Sequence, residues 1–119
     1  MANPNIVNVS VIYGGTALAS GTTSFASLLA NSAASGKILK VNTFIAANID
    51  GTTNGEIDAK IVRSATDYII AKTIVVPADS SLVLISKDTA IYLNEGDDLQ
   101  VKANATSTID FLCSYEEIS

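Results

Sequence analysis

Glu56-Ile57-Asp58-Ala59-Lys60-Ile61 decides the fold class. Ile57, Ala59 and Ile61 fall on one side of an extended chain, and Glu56, Asp58 and Lys60 on the other. Successive side chains of a strand point to opposite faces, so this is a strand with one face in a core and one in water. The same two-residue period recurs on both sides of it. Toward the C-terminus, Leu99, Val101 and Ala103 alternate with Gln100 and Lys102. Ile109, Phe111, Cys113 and Tyr115 alternate with Asp110, Ser114 and Glu116, while Leu112 stands on the polar side. Toward the N-terminus, Val7, Val9, Val11 and Tyr13 alternate with Asn8, Ser10 and Ile12.

Between these segments lie residues suited to turns. Gly14-Gly15 is expected to break the first strand, followed by a short segment over Thr16 to Ala19 that stops at Ser20-Gly21. Thr23 to Ala30 carries Phe25, Leu28 and Leu29, a spacing that also suits a short helix. Asn31 to Gly36 reads as a loop. From Lys37 the pattern predicts a strand with Leu39, Val41, Thr43, Ile45 and Ala47 on one face and Phe44 on the more polar one. Asp50 to Gly55 reads as a hairpin loop and Ser64 to Asp67 as a turn. Tyr68 to Val76 is a longer strand, closed by Pro77 to Ser81, since Pro has no ladder donor. Leu82 to Ser86 and Ala90 to Leu93 follow, with Lys87-Asp88 and Asn94 to Asp98 as turns. Eight or nine short strands with a turn about every ten residues predict an all-β fold, a single-domain antiparallel β-sandwich over residues 1–119, jelly-roll or Ig-like, of about eight strands.

Composition excludes several chemistries. The chain has 119 residues, no His, no Trp and one Cys. Without His there is no Ser-His-Asp or Cys-His catalysis and none of the usual zinc sites. One Cys allows no internal disulfide. The net charge of −5 comes from 7 basic and 12 acidic residues, and the basic ones are scattered, so a nucleic-acid backbone is not the expected partner. No run approaches the roughly 20 apolar residues of a spanning helix, so no membrane partner is expected. Met1 to Asn5 has neither the positive nor the apolar region of a secretory signal.

The charged share is 16% against a usual figure of about 25%, while the hydrophobic share is 48%. A chain so poor in charge has either an unusually large core or surface that it buries in an assembly.

No constellation suggests a reaction, and no catalytic, cofactor-binding or metal-ligating residue is predicted. Asp50, Thr52, Asn54 and Gly55 imitate the start of a calcium loop, but the position of the bidentate Glu falls on Ile61. Glu95, Asp97 and Asp98 are read as a solvated turn, because no aromatic-lined cleft accompanies them. The Gly- and Thr-rich stretch from Gly14 to Thr23 lacks the Lys and the spacing of a phosphate loop. Cys113 is read as a small buried hydrophobe.

Three stretches carry a resemblance: Asn5 to Gly14, Val76 to Ile85, and Ile91 to Val101 with its Tyr92-Leu93-Asn94-Glu95-Gly96-Asp97. With the closing Cys113 to Ile118, the chain resembles, along nearly its whole length, the small virion structural proteins of tailed bacteriophages, notably those of marine cyanobacteria. That resemblance implies a β-sandwich built into the virion, and it carries over no catalytic residue. The expected function is a capsid decoration or cement protein on the outer capsid surface. Its partners would be the major capsid protein or other virion proteins, together with further copies of itself, a trimer being one form. A tail, neck or fibre-associated component is the alternative within that class. A receptor- or carbohydrate-binding sandwich is the alternative outside it, at odds with an aromatic share of 6% whose members mostly look internal. Ile12, Phe44, Val62, Ile69 and Leu112 are the expected exposed apolar side chains.

Overall fold

The computed structural model describes residues 11–119. The expected strand over Val7 to Tyr13 therefore lies mostly outside the described residues. The described residues form nine strands: β1 (Ile12–Ser20), β2 (Ala26–Ala30), β3 (Ile38–Asn48), β4 (Gly55–Arg63), β5 (Thr66–Val76), β6 (Ser81–Ile85), β7 (Ile91–Leu93), β8 (Asp98–Ala103) and β9 (Ile109–Ile118). A 3-10 turn, Lys87–Thr89, separates β6 from β7.

The strands form two antiparallel sheets. One has the order β1-β9-β3-β6, with β7 also paired to β3, and the other β2-β8-β4-β5. The pairs nest: β1 with β9, β2 with β8, β3 with β6, β4 with β5. That is one long antiparallel ribbon whose tip is the β4-β5 turn, rolled so that successive pairs fall in alternate sheets. This order is the jelly roll rather than the Ig-like alternative, whose two sheets divide the strands differently.

The inner faces meet over Phe44, Phe111, Ile57, Leu93, Leu99 and Ile109, all fully buried. The Phe44 and Phe111 rings lie 6.2 Å apart at 42°, a tilted pair contributing about 1 kcal/mol beyond its buried area. The alternation read in β4, β8 and β9 is the alternation observed: Ile57, Ala59, Leu99, Val101, Ala103, Phe111 and Cys113 all face this core.

Elsewhere the structure departs from the expectations, each time for a local reason. Gly14-Gly15 does not break the first strand, because β1 pairs with β9 without interruption from Ile12 to Ser20. A Cβ on Gly15 would stand 2.8 Å from the Tyr115 ring, so this glycine admits the tyrosine and terminates nothing. The segment from Thr23 to Ala30 keeps to the strand reading, as β2, and not to the helical alternative. A register shift between Ser27 and Leu29 gives it the irregular apolar spacing that imitated a helix.

Phe44 is buried, against the expected exposure. The ladder from β3 to β9 runs Val41↔Tyr115 and then Thr43↔Ser114, so Asn42 is an extra residue. This bulge reverses the phase of the strand: Leu39 and Val41 point inward before it, and Phe44, Ala46 and Asn48 after it. Asp50 to Gly55 is not a hairpin loop either, since β3 and β4 lie in different sheets. Asp50 Oδ1 accepts from the Thr52 and Thr53 amides, and Asn48 Nδ2 donates to Thr53 O and Val76 O, which ties this crossing to the core.

The ribbon tip is the two-residue turn Ser64-Ala65, with φ of 53° and 61°. Two positive φ values define the type I′ hairpin turn, which favours Asn-Gly. Ala65 pays for a left-handed conformation that glycine adopts freely. Ala65→Gly is expected to raise stability by about 0.5–1 kcal/mol after the extra chain entropy of glycine is set against the relieved strain. Urea denaturation of the two proteins checks this.

Candidate interface on the outer face of the first sheet

The two outer faces differ in chemistry. On the β2-β8-β4-β5 sheet, β4 presents Glu56, Asp58 and Lys60, and β8 presents Gln100 and Lys102. Asp58 stands opposite Lys102 and Lys60 opposite Gln100. Lys60 Nζ lies 2.9 Å from Asp67 and 4.1 Å from the centre of the Phe25 ring, with Lys102 Nζ at 5.1 Å from the same ring. These charges keep that face hydrated.

The outer face of β1-β9-β3-β6 is built otherwise. Leu18 stands opposite Leu112, Leu112 opposite Ile45, and Ile45 opposite Val83. Four apolar side chains thus form one row across four strands. Leu18 is 69% exposed, Val83 57% and Leu112 36%. On one side the row is bordered by Thr16, Ser114 and Thr43, on the other by Ser20, Asp110, Ala47 and Ser81. Across these three rows the only charge is Asp110. A shallow hollow of about 350 Å³ lies at one end of the row, between Leu18–Ser20 and Asp110–Leu112. Such a surface can lose its water at little cost, because almost no ionic group must be desolvated.

Of the five side chains expected to be exposed, Ile12, Ile69 and Leu112 are, Val62 is half-buried and Phe44 is buried. Only Leu112 belongs to the row. Leu18, Ile45 and Val83 were missed: the first lay beyond the supposed break at Gly14-Gly15, the second was assigned to the inner face of β3, and the third sits in an unbroken apolar run with no period to read.

The carboxylates of Asn94 to Asp98 do not form a solvated turn. Asp97 is 1% exposed. Arg63 Nε donates to its Oδ1 at 2.8 Å and Arg63 NH2 to its Oδ2 at 2.6 Å, while the Asn94 amide donates to Oδ2 at 2.8 Å. The two parallel bonds are the strong bidentate arrangement, and they fasten the β7-β8 turn to the end of β4. Both carboxylate oxygens accept bonds in this bracing, which gives Asp97 a structural role in the turn.

Cys113 is fully buried, and burial pushes its thiol up to about 11, so at neutral pH it carries no thiolate to act as nucleophile or ligand. Hydrogen bonds from Thr52 hold the Asp50 carboxyl below its ordinary range, and Asp50 serves as a turn acceptor. No group of three or more His, Cys, Asp or Glu side chains among the described residues is placed to hold a metal ion. No helix of the described residues is long and apolar enough to cross a membrane. Against the expectation that most aromatic side chains are internal, three tyrosines are exposed: Tyr13 on β1, Tyr92 on β7 and Tyr68 on β5. They occupy three separate edges of the sandwich and share no platform. The chain matches no protein-family model and no curated protein.

Proposed function

We propose that this chain is a non-enzymatic structural protein of a tailed-phage virion, a decoration protein that sits on the outer capsid surface and braces neighbouring capsomers. The observation that carries the reading is the Leu18–Leu112–Ile45–Val83 row on the outer face of the first sheet, which with the rows on either side of it holds one charge, Asp110. A shell made of many copies of one protein offers a broad, repeated partner for such a face. The opposite, charged face then remains in water, and the net charge of −5 lies outside the particle, away from packaged DNA. The sequence resemblance to small phage virion proteins supports the same reading.

Quantitative mass spectrometry of purified particles tests it. A copy number proportional to that of the major capsid protein is expected, as repeated seating on a symmetric shell requires. About a dozen copies or fewer per particle would place the chain in a tail, neck or fibre ring instead.

A further inference from the structure

We infer that β1 is a self-pairing edge, through which two copies of this chain join antiparallel into one continuous sheet. The inference concerns contacts between copies and holds whether or not the chain sits on a capsid.

A sheet edge is a row of unpaired N–H and C=O groups, and proteins guard it with short strands, bulges or charges. Among the described residues, three of the four edges are guarded. β2 has five residues and a register shift. β5 carries Asp67 and Lys72, two register shifts, and Thr73 at φ 52°. The third is divided between the short strands β6 and β7. β1 has none of these devices: nine residues, no charge, no Pro and an unbroken register.

The hydrogen bonds among the described residues define which groups stand free of them. Val11 and Ser119 exchange both N–H···O bonds, at 3.0 and 2.9 Å, so Val11 faces β9. Alternate residues of an antiparallel strand face the same neighbour, which turns the odd residues of β1 toward β9 and Ile12, Gly14, Thr16, Leu18 and Ser20 toward the open edge. Gly21, whose amide reaches Ile109 O at 2.7 Å, obeys the same parity.

A second copy of β1 is the occupant these groups fit. Pairing about a two-fold axis at Thr16 engages all five free residues of each strand at once and closes at two copies. It also matches sizes, setting Leu18 against Gly14 and Tyr13 against Ala19 of the second copy. Two chains of charge −5 repel, and a strand without a charged residue is where that repulsion is weakest.

Sedimentation of the purified chain over about 1 to 100 µM, combined with amide hydrogen exchange at both ends of that range, tests this. The wild type is expected to dimerise, and the amides of Gly14, Thr16 and Leu18 to exchange more slowly as concentration rises. Thr16→Pro removes the N–H at the two-fold axis and no bond among the described residues. It is expected to weaken the dimer at least about tenfold. Should that variant fail to fold, the exchange pattern of the wild type decides alone. A monomer throughout the range, a trimer, or a dimer whose Gly14, Thr16 and Leu18 amides stay as fast as in dilute protein would each overturn the inference.

Discussion

Arg63→Ala is expected to cost about 3 kcal/mol of folding stability, which lowers the melting temperature of a domain this size by about 10–15 °C. The cost does not come from the arginine, which is itself half-exposed and loses little by leaving. It comes from Asp97, fully buried and left with only the Asn94 amide as a partner. Breaking a buried pair from one side costs about 3–5 kcal/mol, and the lower end applies because water can enter the space that a half-exposed side chain vacates. Stability of a small domain is about 5–15 kcal/mol in all, so this one substitution removes a large part of it. Arg63→Lys keeps the charge and loses the two-pronged geometry, and is expected to fall between the two. Urea denaturation of the three proteins is the check. A cost for Arg63→Ala below about 1 kcal/mol would mean that Asp97 is hydrated, as its place in a polar turn had suggested.

Asp97 lies where the sequence is hard to read, and the regular strands lie where it is legible. In β4, β8 and β9 the apolar positions keep a strict period of two, and each strand lies between two others. One face is therefore set by the core, and the sequence records it. β3 carries the same kind of pattern, but Asn42 is inserted without a partner, and nothing in the types Val41-Asn42-Thr43 marks a bulge. Every inward assignment beyond it is displaced by one residue, which is why Phe44 was expected in water and Ile45 in the core. Gly14-Gly15 is ambiguous for another reason: glycine serves both turns and close approaches, and only the position of Tyr115 distinguishes them. The ion pair between Arg63 and Asp97 joins residues 34 apart in sequence, and no local pattern encodes it. The jelly-roll order likewise rests on pairings such as β1 with β9 that join the two ends of the described chain. The outer row is legible at Leu112 alone, because β9 is regular enough for an apolar residue on its polar side to stand out.

The row also makes the functional proposal sharp enough to fail. Leu112 lies at its centre, between Leu18 and Ile45, and its side chain points away from the core. Leu112→Lys places a charge there with Asp110 two residues away, so the fold itself is expected to change by less than about 0.5 kcal/mol, as surface substitutions do. Seated against a shell, the same ammonium would be stripped of water without a built partner. A penalty near 3 kcal/mol at the centre of an interface corresponds to about a 100-fold loss of affinity. The decisive measurement is the binding of wild type and Leu112→Lys to phage shells depleted of this chain, with a charge substitution on the opposite face, Glu56→Lys, as the reference. Saturable binding by the wild type is expected, with near-wild-type binding by Glu56→Lys and about a 100-fold loss for Leu112→Lys at an unchanged melting temperature. Equal binding by Leu112→Lys and the wild type, or no binding by the wild type at all, would contradict the functional proposal.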